Sequence, residues 1–167
     1  TTFGGEGFTF DTSAATLTQG VSSGSAKTMV SFKNGGSAVG EIRTSTTATQ
    51  FLTSSDYRLK ENVTSITDGI VRVKQLKPYR FNFIADSSTT LDGFLAHETQ
   101  TVVPESISGT KDEKESDGVT VKPQGIDQSK LVPLLTAALQ ESVTEIESLK
   151  AEIESLKTRV TTLAVSY

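Results

Sequence analysis

The sequence has no cysteine, no tryptophan and a single histidine, His97. Without cysteine there is no disulfide, no thiol nucleophile and no Cys-ligated metal site. One histidine rules out a His-cluster metal centre, so neither a metal nor another cofactor is expected. Basic residues number 16 against 20 acidic ones, a net charge of −4, and they never form a block. A nucleic-acid partner or an anionic membrane surface is therefore not indicated. No apolar run reaches the roughly 18 residues of a membrane span. The opening TTFGGEGFTF has neither a basic nor an apolar leader region. Aromatic residues make up only 7% of the 167 positions, too few for one compact core. The length allows one ordinary domain or two small ones. The chain opens on Thr1 within a strand-like run, so the end piece of a longer protein is expected.

Three stretches with different patterns follow. Residues 1–54 contain 12 Thr, 8 Ser and 8 Gly, a composition compatible with disorder. Apolar residues nevertheless recur in short alternating runs, Phe8 with Phe10, Val30 with Phe32, and Val39 with Ile42. Asn34-Gly35-Gly36 between two of these runs is a hairpin signal. Short strands burying too little to stand alone suit one chain of an intertwined β-structured fibre.

Residues 55–125 are mixed. Val63, Ile66, Ile70, Val73 and Leu76 recur at helical spacing up to Lys77-Pro78. Tyr79, Phe81 and Phe83 alternate as a strand, Asp92-Gly93 reads as a turn, and Pro104 is expected to close a short helix. KDEKESDG (111–118) is a charged loop ending in an Asp117-Gly118 turn. The expected fold class is α+β: a strand-rich stalk end, a small mixed unit, and a long C-terminal helix.

That helix occupies 126–167. Leu139, Ile146, Ile153 and Val160 fall at heptad position a, and Leu135, Leu149, Leu156 and Leu163 at d. From Val132 to Leu163 only Ser142 breaks the apolar pattern. Glu145 and Glu152 at g would face Lys150 and Lys157 at e of a parallel neighbour. Such a helix is marginal by itself, so the pattern predicts self-association, and β-branched a with Leu d favours a dimer.

Two motif-like stretches carry no chemistry. SSGSAKT (22–28) lacks the Gly-Lys-Ser/Thr adjacency of a phosphate loop. Glu113, Glu115, Asp117 and Gly118 resemble the start of a calcium loop, but Gln124 stands where a bidentate Glu is required. His97, alone, is expected to be a packed or hydrogen-bonded residue. The chemically interesting stretch is Ser54-Ser55-Asp56-Tyr57-Arg58-Leu59-Lys60-Glu61-Asn62, at the junction of two composition regimes. A serine hydroxyl needs a base, and a lysine can serve in its neutral form. Lys60 lies within reach of Ser55 across a tight turn.

SSDYRLKENV, LKPYRFNF (76–83), DGFLAHETQTVVPESI (92–107) and SKLVPLLTAALQE (129–141) resemble, in order, the signature blocks of one family. It is the endosialidase-type intramolecular chaperone, the self-cleaving C-terminal domain of phage tail spikes and tail fibres. The preceding KNGGSAVGEIRTSTTATQFLTSSDYR also resembles the hairpin end of fibres that carry such a domain. The resemblance implies a serine peptidase acting once on its own chain, with Ser55 as nucleophile and Lys60 as its partner. Asp56 then follows the cut, and Arg58 and Asn62 fill the remaining motif positions. His97-Glu98 stands where the family more often has Gln-Glu, so Glu98 carries over as a polar partner. The family implies a homotrimer, against the a/d rule, with residues 139, 146, 149, 153, 156, 160 and 163 in the seam.

The function so implied is assembly. The domain brings three chains and their upstream fibre segments into register, and is then released by cleavage near Ser55-Asp56. The virion tail fibre is the expected location, with folding in the host cytoplasm and a surface receptor as a partner of the mature fibre. The bond remains open. Ser55 attacking its own carbonyl would close a strained four-membered ring. Attack on the Ser54 carbonyl is an N-to-O shift, and a serine from a neighbouring chain is a third route. Two other classes stay in play: a permanently attached fibre tip or adhesin with a silent site, and a carbohydrate-binding tip, for which three Tyr and no Trp offer few stacking platforms.

Overall fold

A computed structural model describes residues 7–11, 16–20 and 24–166. Thr1 and part of the SSGSAKT stretch lie outside the described residues. The architecture is α+β, and the chain divides after Val63 into two compact units.

The first unit is built from antiparallel strands. β1 (Gly7–Asp11) pairs with β2 (Thr16–Gly20). β3 (Lys27–Asn34), β4 (Ser37–Thr44) and β5 (Thr49–Thr53) form a meander in sequence order. The Asn34-Gly35-Gly36 signal is the β3–β4 turn, with Asn34 opposite Ser37. Gly35 and Gly36 have φ of 56° and 84°, the left-handed pair that a two-residue hairpin requires. Val30, Ile42 and Phe51 stand in one row across the three strands. Phe32 and Phe51 are 53% and 78% exposed, and none of residues 24–63 is buried. Among the described residues the sheet thus leaves Val30 and Phe51 of this row exposed while Ile42 is half-buried, contrary to what burial-driven stability needs.

The second unit has a small core. Val102, Val103, Leu131 and Leu134 are buried, with Val73, Leu76 and Phe94 packed on them. Helical spacing over 63–76 yields a helix only at α1 (Gly69–Val73). Val63 and Ile66 precede it, and Val63 is 80% exposed. β-Branched residues and Thr64-Ser65 favour the extended backbone there. β6 (Tyr79–Phe83) is the alternating strand and pairs with β7 (Asp86–Gly93). Asp92-Gly93 is therefore strand, not turn, and the chain reverses at Ile84-Ala85. Asp92 forms a cross-strand ion pair with Arg80 at 2.8 Å. A Cβ on Gly93 would come within 3.2 Å of the Phe81 ring, so this glycine makes room for an aromatic. α2 (Ala96–Thr99) ends before Pro104, which instead opens a 3-10 turn, where its missing N–H costs nothing. β8 (Ile107–Ser108) and β9 (Gly125–Ile126) form a short ladder. The charged loop between them turns at Gly118, φ 68°. Glu113 pairs there with Lys122, and Asp117 accepts the amides of Val119 and Thr120.

α3 (Leu131–Val165) runs for 35 residues, a length of about 52 Å. It carries two apolar faces. Leu131, Leu134, Ala137 and Ala138 are buried within the unit. On the other face, Leu135, Leu139, Ile146, Leu149, Ile153, Leu156, Val160 and Leu163 are all between 48% and 65% exposed. Ser142, the polar interruption, donates its hydroxyl to the Ala138 carbonyl at 2.8 Å.

The first face grips α1 tightly. The Gly69 and Ile70 amides each donate to the Glu141 carboxylate at 2.8 Å. Asp68, at the N-cap position, makes no side-chain cap, so Glu141, 72 positions beyond Gly69, does that job. A Cβ on Gly69 would lie 2.4 Å from the Ala138 amide nitrogen, with no flexible side chain to give way. Gly69→Ala should therefore pry α1 from α3 and cost on the order of 1–3 kcal/mol. For a unit of this size that lowers Tm by roughly 4–8 °C per kcal/mol in a thermal melt. An unchanged Tm would mean that the two helices separate freely.

Candidate active site

Ser55 follows β5 directly. The Ser54 amide still donates to the Val39 carbonyl at 3.2 Å, which ties the chain to β4 one residue before Ser55. Asp56 then leaves the strand direction and caps a single 3-10 turn, Tyr57–Leu59. Its Oδ1 accepts the Arg58 amide at 2.9 Å and Arg58 Nε at 3.0 Å, while Oδ2 accepts Arg58 Nη2 at 2.6 Å. The turn closes with the Leu59 amide on the Asp56 carbonyl and the Lys60 amide on the Tyr57 carbonyl, both at 3.1 Å. Lys60 returns to extended backbone. Asn62 follows with φ 54°, a left-handed conformation that Asn tolerates better than most residues.

This short reversal brings Lys60 Nζ to 2.8 Å from Ser55 Oγ. The lysine donates and the serine oxygen accepts. Base catalysis needs the reverse, with a neutral amine taking the hydroxyl proton. Both side chains are exposed in the single chain. The Arg58 guanidinium and amide hold the Asp56 carboxyl below its ordinary range. The clamp is thus present at neutral pH and is lost only as pH falls through that lowered value.

The remaining candidate, Glu98, sits on α2 in the second unit. It accepts from Tyr79 Oη at 2.9 Å and from Lys77 Nζ at 3.2 Å. These two partners hold its carboxyl low, the tyrosine first, and Glu98 in turn raises the Tyr79 phenol. No sequence pattern marks Lys77 or Tyr79 as a site residue. The spacing shows Tyr79 only as a strand position, although the LKPYRF block contains both. His97 is half-buried on the same helix.

The local chemistry, then, is a hydroxyl and an amine in contact on a capped turn, at the foot of a β-meander. Residues 55–108 match the model of a serine-peptidase family described as chaperone of endosialidase. The match opens on Ser55 itself and runs through α1, β6, β7 and α2 to the end of β8. No curated protein matches the chain.

Proposed function

We propose that the endosialidase-type chaperone domain of this chain assembles three copies in parallel, folds the fibre segment upstream of Ser55, and then cuts itself free. The observation that carries this reading is the 2.8 Å contact between Ser55 and Lys60 at the first residue of the family match. The unpaired apolar faces support it as well. The sheet residues Val30, Phe32 and Phe51 and a helical stripe over several heptads are surfaces that a single chain leaves largely exposed.

Intertwined β-structure forms slowly, because chain closure is costly before any contact rewards it. A parallel seam in α3 turns that search into an intramolecular one by raising the effective concentration of the other two chains. Assembly also gives the site what a lone chain lacks. Packing around the turn removes water from the lysine, and loss of hydration favours the neutral amine. Ser55 Oγ then adds to a backbone carbonyl while its proton passes to Lys60 Nζ. The tetrahedral intermediate collapses to an ester, the departing amine takes up the proton, and water hydrolyses the ester. Geometry argues against Ser55 attacking its own carbonyl. The carbonyl of Ser54, or a neighbouring chain's Ser55-Asp56 bond, leaves a normal approach.

The mature fibre would persist because refolding and unfolding no longer share a path. The test uses the full-length fibre, cleaved and as uncleaved Ser55→Ala. The cleaved fibre should withstand more denaturant, yet once unfolded it should fail to refold. The uncleaved fibre should unfold sooner and refold more completely. Equal refolding yields would reduce the domain to a permanent clamp at the fibre tip.

A further inference from the structure

We infer that Asp56 and Arg58 act as one positioning device, a clamp that folds the chain back so that Lys60 reaches Ser55. The inference rests on the Ser55–Lys60 reading above and adds a role for two side chains that bond to neither Ser55 Oγ nor Lys60 Nζ. Five residues of extended chain would carry Lys60 far from Ser55, at roughly 3.3 Å of advance per residue. Instead the backbone reverses within one 3-10 turn. Such a turn is weak alone, with i to i+3 bonds of poor geometry and little reason to persist at the surface. Here its two backbone bonds run from Leu59 to Asp56 and from Lys60 to Tyr57. No residue of the turn is buried, so packing does not hold it.

What holds it is the Asp56 carboxylate. One oxygen takes the Arg58 amide, which has no partner within so short a helix. The same carboxylate is gripped through the Arg58 side chain by Nε and Nη2. That forked geometry is more directional than a lysine contact. The Arg58 side chain is 73% exposed, and among the described residues its ion-pair partner is Asp56. A surface ion pair contributes little to global stability. Its value is local: it fixes the reversal that puts the amine on the hydroxyl. Misplacing a catalytic group by about 1 Å can cost roughly 100-fold in rate.

The experiment follows self-cleavage of assembled full-length protein by intact mass, in Asp56→Asn, Asp56→Ala, Arg58→Ala, Arg58→Lys and the double alanine variant, with Ser55→Ala as reference. Asp56→Ala should be slower by about 100-fold. Asp56→Asn keeps an oxygen for the Arg58 amide and loses the charged fork, so it should fall between Asp56→Ala and wild type. Arg58→Ala should be about 10-fold slower, with Arg58→Lys partly restored. In the double variant Arg58→Ala should add almost nothing to Asp56→Ala, because the two side chains act through one contact. That coupling separates positioning from any effect of Asp56 as a neighbour of the cut bond, since Arg58 lies two residues further on. Cleavage within twofold of wild type in Arg58→Ala, or independent losses that multiply in the double variant, would overturn the clamp. Ser55→Ala tells the two failures apart. If it stays uncleaved while the clamp variants cut normally, only this inference falls; if it still cuts, the dyad reading falls and this inference goes with it.

Discussion

Replacing Ser55 by alanine should stop cleavage and leave the assembled protein whole. Ser55 and Lys60 are both exposed in the single chain, and the side-chain bond between them is their mutual one. Neither supports the core of Val102, Val103, Leu131 and Leu134. Loss of the hydroxyl removes the nucleophile, and loss of the amine removes the base, a contribution of about 100- to 10,000-fold. Lys60→Ala should therefore accumulate uncut chain, and Lys60→Arg should do the same. Arginine keeps a positive charge and a donor, but in a protein it does not give up its proton. A denaturing gel beside a native separation reads both properties at once: one band of full mass, and an unchanged assembly. The wild-type rate should rise with pH, since the amine acts only when neutral. Asp56 cannot produce that rise, because the Arg58 side chain and amide hold its carboxyl below the ordinary carboxylate range. A flat profile, or normal cutting in Lys60→Arg, would assign the base elsewhere.

Ile146→Asp combined with Ile153→Asp should abolish assembly without unfolding the second unit. Both isoleucines are about half exposed in the single chain and are not among the buried residues of α3, Leu131, Leu134, Ala137 and Ala138. Aspartate there meets water in the monomer at little cost. In a parallel seam it would meet the same aspartate of every neighbour, and an unpaired buried charge typically costs about 3–5 kcal/mol. With two such layers the association should be lost at low micromolar concentration, as monomer mass in light scattering. The Tm of the unit should stay close to wild type, because the Glu141 cap on α1 and the core are untouched. If the chains remain trimeric, the heptads are dispensable and the β-meander sets the association. On the proposed reading, cleavage should disappear together with assembly, although Ser55 and Lys60 are unaltered.

Much of this architecture is legible where one short-range rule decides the outcome. Asn34-Gly35-Gly36 is a hairpin turn because two successive left-handed residues are needed and glycine supplies them. Tyr79, Phe81 and Phe83 form a strand because alternation has no competing reading. The exceptions arise where a long-range contact overrides the local signal. Asp92-Gly93 looks like a turn until Arg80 and the Phe81 ring are placed opposite it. α1 is confined to five residues, and its cap is Glu141, which no N-terminal pattern near residue 68 could announce. At the candidate site the spacing of Ser55 and Lys60 permits contact without requiring it. The Asp56 cap next to this contact is a local signal, hidden because Asp56 draws notice as the neighbour of the proposed nucleophile. Glu98 shows the opposite case, a motif residue whose partners in the structure, Lys77 and Tyr79, come from another block of the same resemblance.

The two faces of α3 have a consequence for synthesis. The seam from Leu135 to Leu163 lies entirely downstream of the turn at Ser55 and of every strand described. A ribosome that stalls before residue 131 releases a chain with the Ser55–Lys60 turn but without the α3 face on which the proposed recruitment of siblings depends. If cutting waits on assembly, such a fragment neither joins a fibre nor processes itself. The order of elements along the chain would then act as a proofreader of translation, admitting only polypeptides read through to the last heptads. Prematurely terminated products would be left as monomers, open to proteolysis, instead of being built into a defective shaft.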